Sequence, residues 1–192
     1  MLYRIILYLS ALLVELIIMF ILSNITKSNK SPPHTDIVHF LSANYFTTIV
    51  KPRIKIIKSI KDLMCITPAC ILLITIPSFV ALKILDIGVM FHCFIRPIFF
   101  CSTILPRCSD RKELKSIFDA LNGANCDYIF SGHAFIVILS CHYLEKFFYF
   151  YGILYIYSFI TCLIIIICRE HYTIDILVAI LAVSSATYFI DY

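Results

Sequence analysis

Two short polar clusters interrupt a mostly apolar chain and carry residue types that can do chemistry. Ser131, Gly132 and His133 open one apolar stretch; His171, Tyr172, Thr173, Ile174 and Asp175 open another, with His171 following His133 by 38 residues. His171 and Asp175 are four apart, the spacing that stacks side chains on one helix face. A carboxylate there accepts the Nδ1–H of the imidazole, fixes its tautomer and leaves the Nε2 lone pair for an electrophile. His171 therefore reads as a nucleophile. His133, behind two small residues at a helix entrance, reads as the matching general acid or base. Singly, each histidine is a polar group at a helix end near headgroups; the pair with Asp175 specifies a site.

The elements that must position this pair are membrane helices. A crossing takes roughly 20 residues, so two crossings bring His171 back to the face that holds His133. The chain has 192 residues, 61% hydrophobic and 15% charged, with the charges gathered between apolar stretches. That pattern predicts an all-α, polytopic bundle of six transmembrane helices rather than a β-barrel, in a single domain over 1–192. The expected spans are 2–22, 63–82, 84–105, 128–144, 147–168 and 172–190, with an interfacial amphipathic segment over 37–62. The first span is too long for a signal-peptide core and is expected to be retained.

Within this frame, Pro32-Pro33 forces an extended backbone leading to Asp36. Lys51, Arg53, Lys55, Lys58 and Lys61 alternate with isoleucines, a pattern suited to anionic headgroups or to a solvated face. Pro68 and Pro77 are expected to bend the second span, and Lys83 to mark a tight turn. Glu15 and His92 read as packing residues. Arg96, inside the third span, is costly in lipid unless it faces a functional interior, and its fork suits a lipid phosphate. The net charge of +4 sits beside membrane segments, so membrane lipids rather than nucleic acid are the expected contacts. Seven of the nine cysteines fall in apolar stretches and read as small hydrophobes. Cys108 and Cys126 bracket a polar loop and could pair in an oxidising lumen. No cysteine or histidine spacing suggests a metal, and no cofactor is expected.

These residues resemble the sphingomyelin synthase family, a branch of the type 2 phosphatidic acid phosphatase superfamily. Asn125, Cys126, Asp127, Tyr128, Ile129, Phe130, Ser131, Gly132 and His133 are similar to its Cys-Gly-Asp-Tyr…Ser-Gly-His motif, and His171 to Asp175 match His-Tyr-Thr-x-Asp. Pro32, Pro33 and Asp36 resemble Pro-Pro-x-Pro-Asp, while Lys83, Arg96 and Leu105-Pro106 follow the third-span motif. The chain departs from the family at Asn125-Cys126, Thr35, Ile84 and Ile95. The resemblance implies catalytic roles for His133, His171 and Asp175, and substrate contacts from Arg96, Asp127, Tyr128, Ser131, Tyr172 and Asp36. It implies transfer of a phospho-headgroup, foremost phosphocholine, from a glycerophospholipid to ceramide. Ethanolamine and inositol donors stay open, as do hydrolysis by water, a non-catalytic lipid-binding role and a homo-oligomer.

Counting Lys and Arg puts the active face on the cytoplasmic side. The resemblance implies a lumenal or extracellular face on the endomembrane system (Golgi or endoplasmic reticulum) or plasma membrane, and that reading is followed here.

Overall fold

The computed structural model describes residues 36–91 and 130–191 and scattered helical positions between 6 and 21. Asp36 starts the first continuous element. Its carboxylate accepts from the amides of Val38 and His39 at 2.9 and 3.1 Å, capping α1, Ile37–Leu41. A run of short turns over Ala43–Arg53 then leads into α2, Ile54–Thr75. Residues 54–62 of the expected interfacial segment are the start of this helix, which runs on through the expected boundary at 62/63.

The buried residues of α2 are Lys61, Cys65, Pro68 and Leu72, three or four apart, so they form one inward stripe. Pro68 stays inside the helix. Its ring nitrogen cannot donate to the carbonyl of Met64 one turn earlier, and the Tyr157 hydroxyl from a neighbouring helix donates to that oxygen instead, at 2.8 Å. Tyr157→Phe leaves the carbonyl without this partner, and we expect a loss of about 1–3 kcal/mol. Adding Pro68→Ala, which restores the intrahelical donor, should recover much of it in chemical denaturation.

The helix ends at Thr75, two residues before Pro77. Ile76 is extended, as a residue before proline prefers, and α3 begins immediately after, Ser78–Met90. Lys83 consequently lies inside α3 rather than at a turn, and residues 92–105 of the expected third span lie outside the described residues.

The second half is a hairpin and a return helix: α4, Gly132–Phe148; α5, Ile153–Ile167; and α6, Thr173–Asp191. Tyr149 closes α4 in the left-handed region, φ 52°, and Gly152, φ 85°, opens α5 in a conformation that favours glycine. Glu145 of α4 accepts from the amides of Gly152 and Leu154 at 2.6 and 3.3 Å, satisfying donors that the start of α5 would leave unmet. α4 is central, packed by α2, α5 and α6; Phe135, Val137, Leu139, Cys141, Tyr143 and Leu144 fill the core.

All described elements are helical, with no strand among the described residues. Among those residues no helix is long and apolar enough to cross a membrane. α4 and α5 have 17 and 15 residues, lengths of roughly 25 and 22 Å against a hydrocarbon core of roughly 30 Å. α2 is long enough but carries Lys55, Lys58, Lys61 and Asp62 in its first turns.

Candidate active site

The two polar clusters meet at one end of the helices. Ser131 caps α4, its hydroxyl accepting from the Ala134 amide at 3.2 Å, so Gly132 and His133 occupy the first turn. The Ser131 amide donates in turn to the Asp175 carbonyl at 3.4 Å. That bond joins the entrance of α4 to the first turn of α6.

His171 does not lie on the α6 face; it sits in the turn before the helix. Asp175, three residues past Tyr172, folds back and accepts from the Tyr172 amide at 2.9 Å and from His171 Nδ1 at 3.0 Å. The four-residue spacing thus works through a capping geometry rather than helix stacking. Asp175 is 0% exposed, which holds the carboxylate in one place. With Nδ1 donating, Nε2 keeps its lone pair, and the His171 ring is 13% exposed. His133 is more open, with 48% of its side chain accessible.

A second layer fixes the backbone under His171. His39 Nε2 donates to the His171 carbonyl at 3.2 Å, and its ring lies 5.5 Å from that of Tyr172. Asp36 reaches across from α1: its carboxylate accepts from the Thr173 amide at 2.7 Å and from the Thr173 hydroxyl at 3.0 Å. One aspartate therefore caps two helices, and the geometry gives it a clamping role beneath the site. Burial works against the Asp36 charge, but the amides of Thr173 and His39 and the Thr173 hydroxyl outweigh it, holding its pKa below 3.8. Because the folded value lies below the ordinary one, this stabilisation is full above pH 3.8 and fades as pH falls through the lower folded value. We expect acid unfolding of the wild type to steepen in that range, and Asp36→Asn to flatten it.

Charge also gathers around the histidines. Lys61, 2% exposed, is ion-paired with Glu170, the residue before His171, and with Asp62. Lys58 reaches the other Glu170 oxygen at 3.1 Å, and Asp62 Oδ1 lies 3.6 Å from His133 Nε2. Arg169 stacks 4.4 Å from the Phe46 ring centre.

Of the residues singled out in the sequence, the structure brings His133, His171, Asp175, Ser131, Tyr172 and Asp36 to this end. Ser131 and Tyr172 are buried there. Arg96, Asp127, Tyr128, Glu15, His92 and the Cys108–Cys126 pairing lie outside the described residues. Sequence reasoning gave no role to Asp62, Glu170 or His39, and left Lys58 and Lys61 open between headgroup contact and a solvated face. The stripe Lys58, Lys61, Cys65, Pro68 and Leu72, continuous at helical spacing, is the signal that could have turned those lysines inward.

Residues 125–192 match the family model described as PAP2 superfamily C-terminal. Over those residues the chain is similar to the type 2 phosphatidic acid phosphatase superfamily. No curated protein and no solved structure shows a significant match to the chain.

Proposed function

We propose that this chain is a lipid phosphotransferase that moves a phospho-headgroup, foremost phosphocholine, from a glycerophospholipid to ceramide and releases diacylglycerol. The observation that carries the reading is the His171–Asp175 hydrogen bond at 3.0 Å, which prepares Nε2 as a nucleophile, with His133 at the same end of the bundle. The phosphatase pattern that places an arginine six residues before this histidine is not followed, because Ile165 stands there. That departure supports a lipid alcohol as acceptor over water.

In the first half-reaction His171 Nε2 attacks phosphorus, the bond from phosphorus to the diacylglycerol oxygen breaks, and that oxygen takes a proton from His133. In the second, His133 removes the proton from the ceramide hydroxyl, whose oxygen attacks the phosphohistidine and frees His171. Arg96 is assigned to the charge on the phosphoryl oxygens. The proposed setting is a membrane of the endomembrane system or the cell surface, with the site facing the lumen or exterior. The apolar exteriors of α5 and α6, where Ile156, Phe159, Leu177 and Leu181 are exposed, support lipid contact.

Purified protein in mixed micelles with a fluorescent ceramide and phosphatidylcholine, phosphatidylethanolamine or phosphatidylinositol tests the reading. A phosphosphingolipid made by the wild type supports it and names the donor. Release of phosphate or a phospho-alcohol without labelled product would move the acceptor to water, and no reaction with any donor overturns the proposal.

A further inference from the structure

His171 has a carboxylate built against its inner nitrogen; the counterpart for His133 comes from a helix that neither polar cluster belongs to. Asp62 of α2 places Oδ1 3.6 Å from His133 Nε2. The same oxygen is held by Lys61, which is almost wholly buried and also binds Glu170. One ammonium therefore anchors two carboxylates, and each stands beside one histidine: Glu170 precedes His171 in the chain, and Asp62 faces His133 in space. A surface pair between Lys61 and Asp62 would not require Lys61 to be buried, nor would it aim the shared oxygen at an imidazole.

We propose that Asp62 is the positioning residue for His133, pairing with Nε2 so that Nδ1 is the nitrogen that exchanges protons with the lipid oxygens. This rests on the transferase reading above, in which His133 must start protonated, give that proton to the departing diacylglycerol oxygen and regain one from the ceramide hydroxyl. A carboxylate at Nε2 stabilises the imidazolium present before and after each turnover, and a fixed ring keeps Nδ1 in reach of both oxygens. Lys61 holds Asp62 in place. The 3.6 Å separation closes to a hydrogen bond when substrate excludes water, as catalytic contacts in empty sites commonly do. Burial, Lys61 of α2 and His171 act against the charged form of His133, while Glu170 from the turn before α6 and Asp62 of α2 favour it, so the Asp62 carboxylate works against its surroundings.

The test has two arms. In the first, turnover is measured for Asp62→Asn, Asp62→Glu, His133→Ala and the Asp62→Asn/His133→Ala double variant. Asp62→Asn should lower kcat on the order of tenfold to a hundredfold, part of the 10²–10⁴ that a general acid supplies, with KM nearly unchanged. Asp62→Glu should restore most of it, and Asp62→Asn should cost nothing further once His133 is alanine. An equal loss in both backgrounds overturns the proposal.

The second arm does not need turnover. The protein, labelled with ¹⁵N-histidine, is studied in micelles, and the His133 signal is identified by its loss in His133→Ala. Asp62→Asn should move the His133 signal and leave that of His142, at the other end of α4, in place; an unmoved His133 signal overturns the pairing. If the wild type forms no transfer product, the transferase reading fails and this arm still decides whether Asp62 governs His133.

Discussion

His171→Ala is expected to reduce headgroup transfer by roughly 10³–10⁴-fold or more, the scale seen when one member of a nucleophile–base set is removed. The fold should survive the change. The bonds that hold this turn run from His39 to the His171 carbonyl, from the Tyr172 amide to Asp175 and from the Thr173 amide to Asp36, and none of them needs the imidazole. Asp175→Asn should approach the same loss by a different route. Both bonds end on the same oxygen, Oδ2, so an Asn oxygen there keeps the tautomer but not the negative charge that offsets the imidazolium formed on attack, and an Asn NH₂ there loses both bonds. Combining the two should cost little more than His171→Ala alone, because both act through one nitrogen. Initial rates with a fluorescent ceramide, alongside thermal unfolding of each variant, separate lost chemistry from lost structure.

The largest expected stability effect is at Lys61. Lys61→Met leaves Glu170 buried, with Lys58 at 3.1 Å as a remaining cation. Breaking a buried pair by removing one partner costs about 3–5 kcal/mol, and Lys58 should hold the loss near the lower end. Changing Glu170 to Gln in the same protein removes the stranded charge and should recover much of the stability. Burial pulls the Lys61 pKa down, but Glu170 and Asp62 pull harder, and the result lies above 10.5. A group whose folded pKa is raised contributes fully below its unfolded value. The Lys61 contribution is therefore complete below pH 10.5 and fades as pH rises through the higher folded value. Denaturation midpoints followed upward from pH 9 should fall for the wild type and stay flatter for Lys61→Met.

How much of this was legible in the sequence divides by distance along the chain. The helix entrances at Ser131–His133 and Tyr172–Asp175 could be read from local pattern, and the spacing of His171 and Asp175 delivered the hydrogen bond. It did so because an aspartate at the third position of a helix reaches back to the turn before it, not because the two share a helix face. Pro77 was visible, but a proline in an apolar run says only that a helix is disturbed; the extended Ile76 turns a bend into an end. The contacts that complete the site join residues 137, 109 and 71 positions apart, Asp36 with Thr173, Lys61 with Glu170 and Asp62 with His133. No local period reports such pairs. Lys61 was read as a headgroup contact or part of a solvated face because lysines beside apolar stretches usually stay at the surface, whereas two carboxylates here offset the cost of burying one.

The claim on which the account turns is that His171 carries the phosphoryl group between the two lipids. The most direct measurement is to mix the protein with a donor lipid labelled at phosphorus, quench within a turnover, digest in base and find the labelled peptide by mass spectrometry. Phosphorylation at His171, labile in acid, lost in His171→Ala and discharged by adding ceramide, is the predicted result. Product formed with no label on the chain, or label at a residue other than His171, would contradict it.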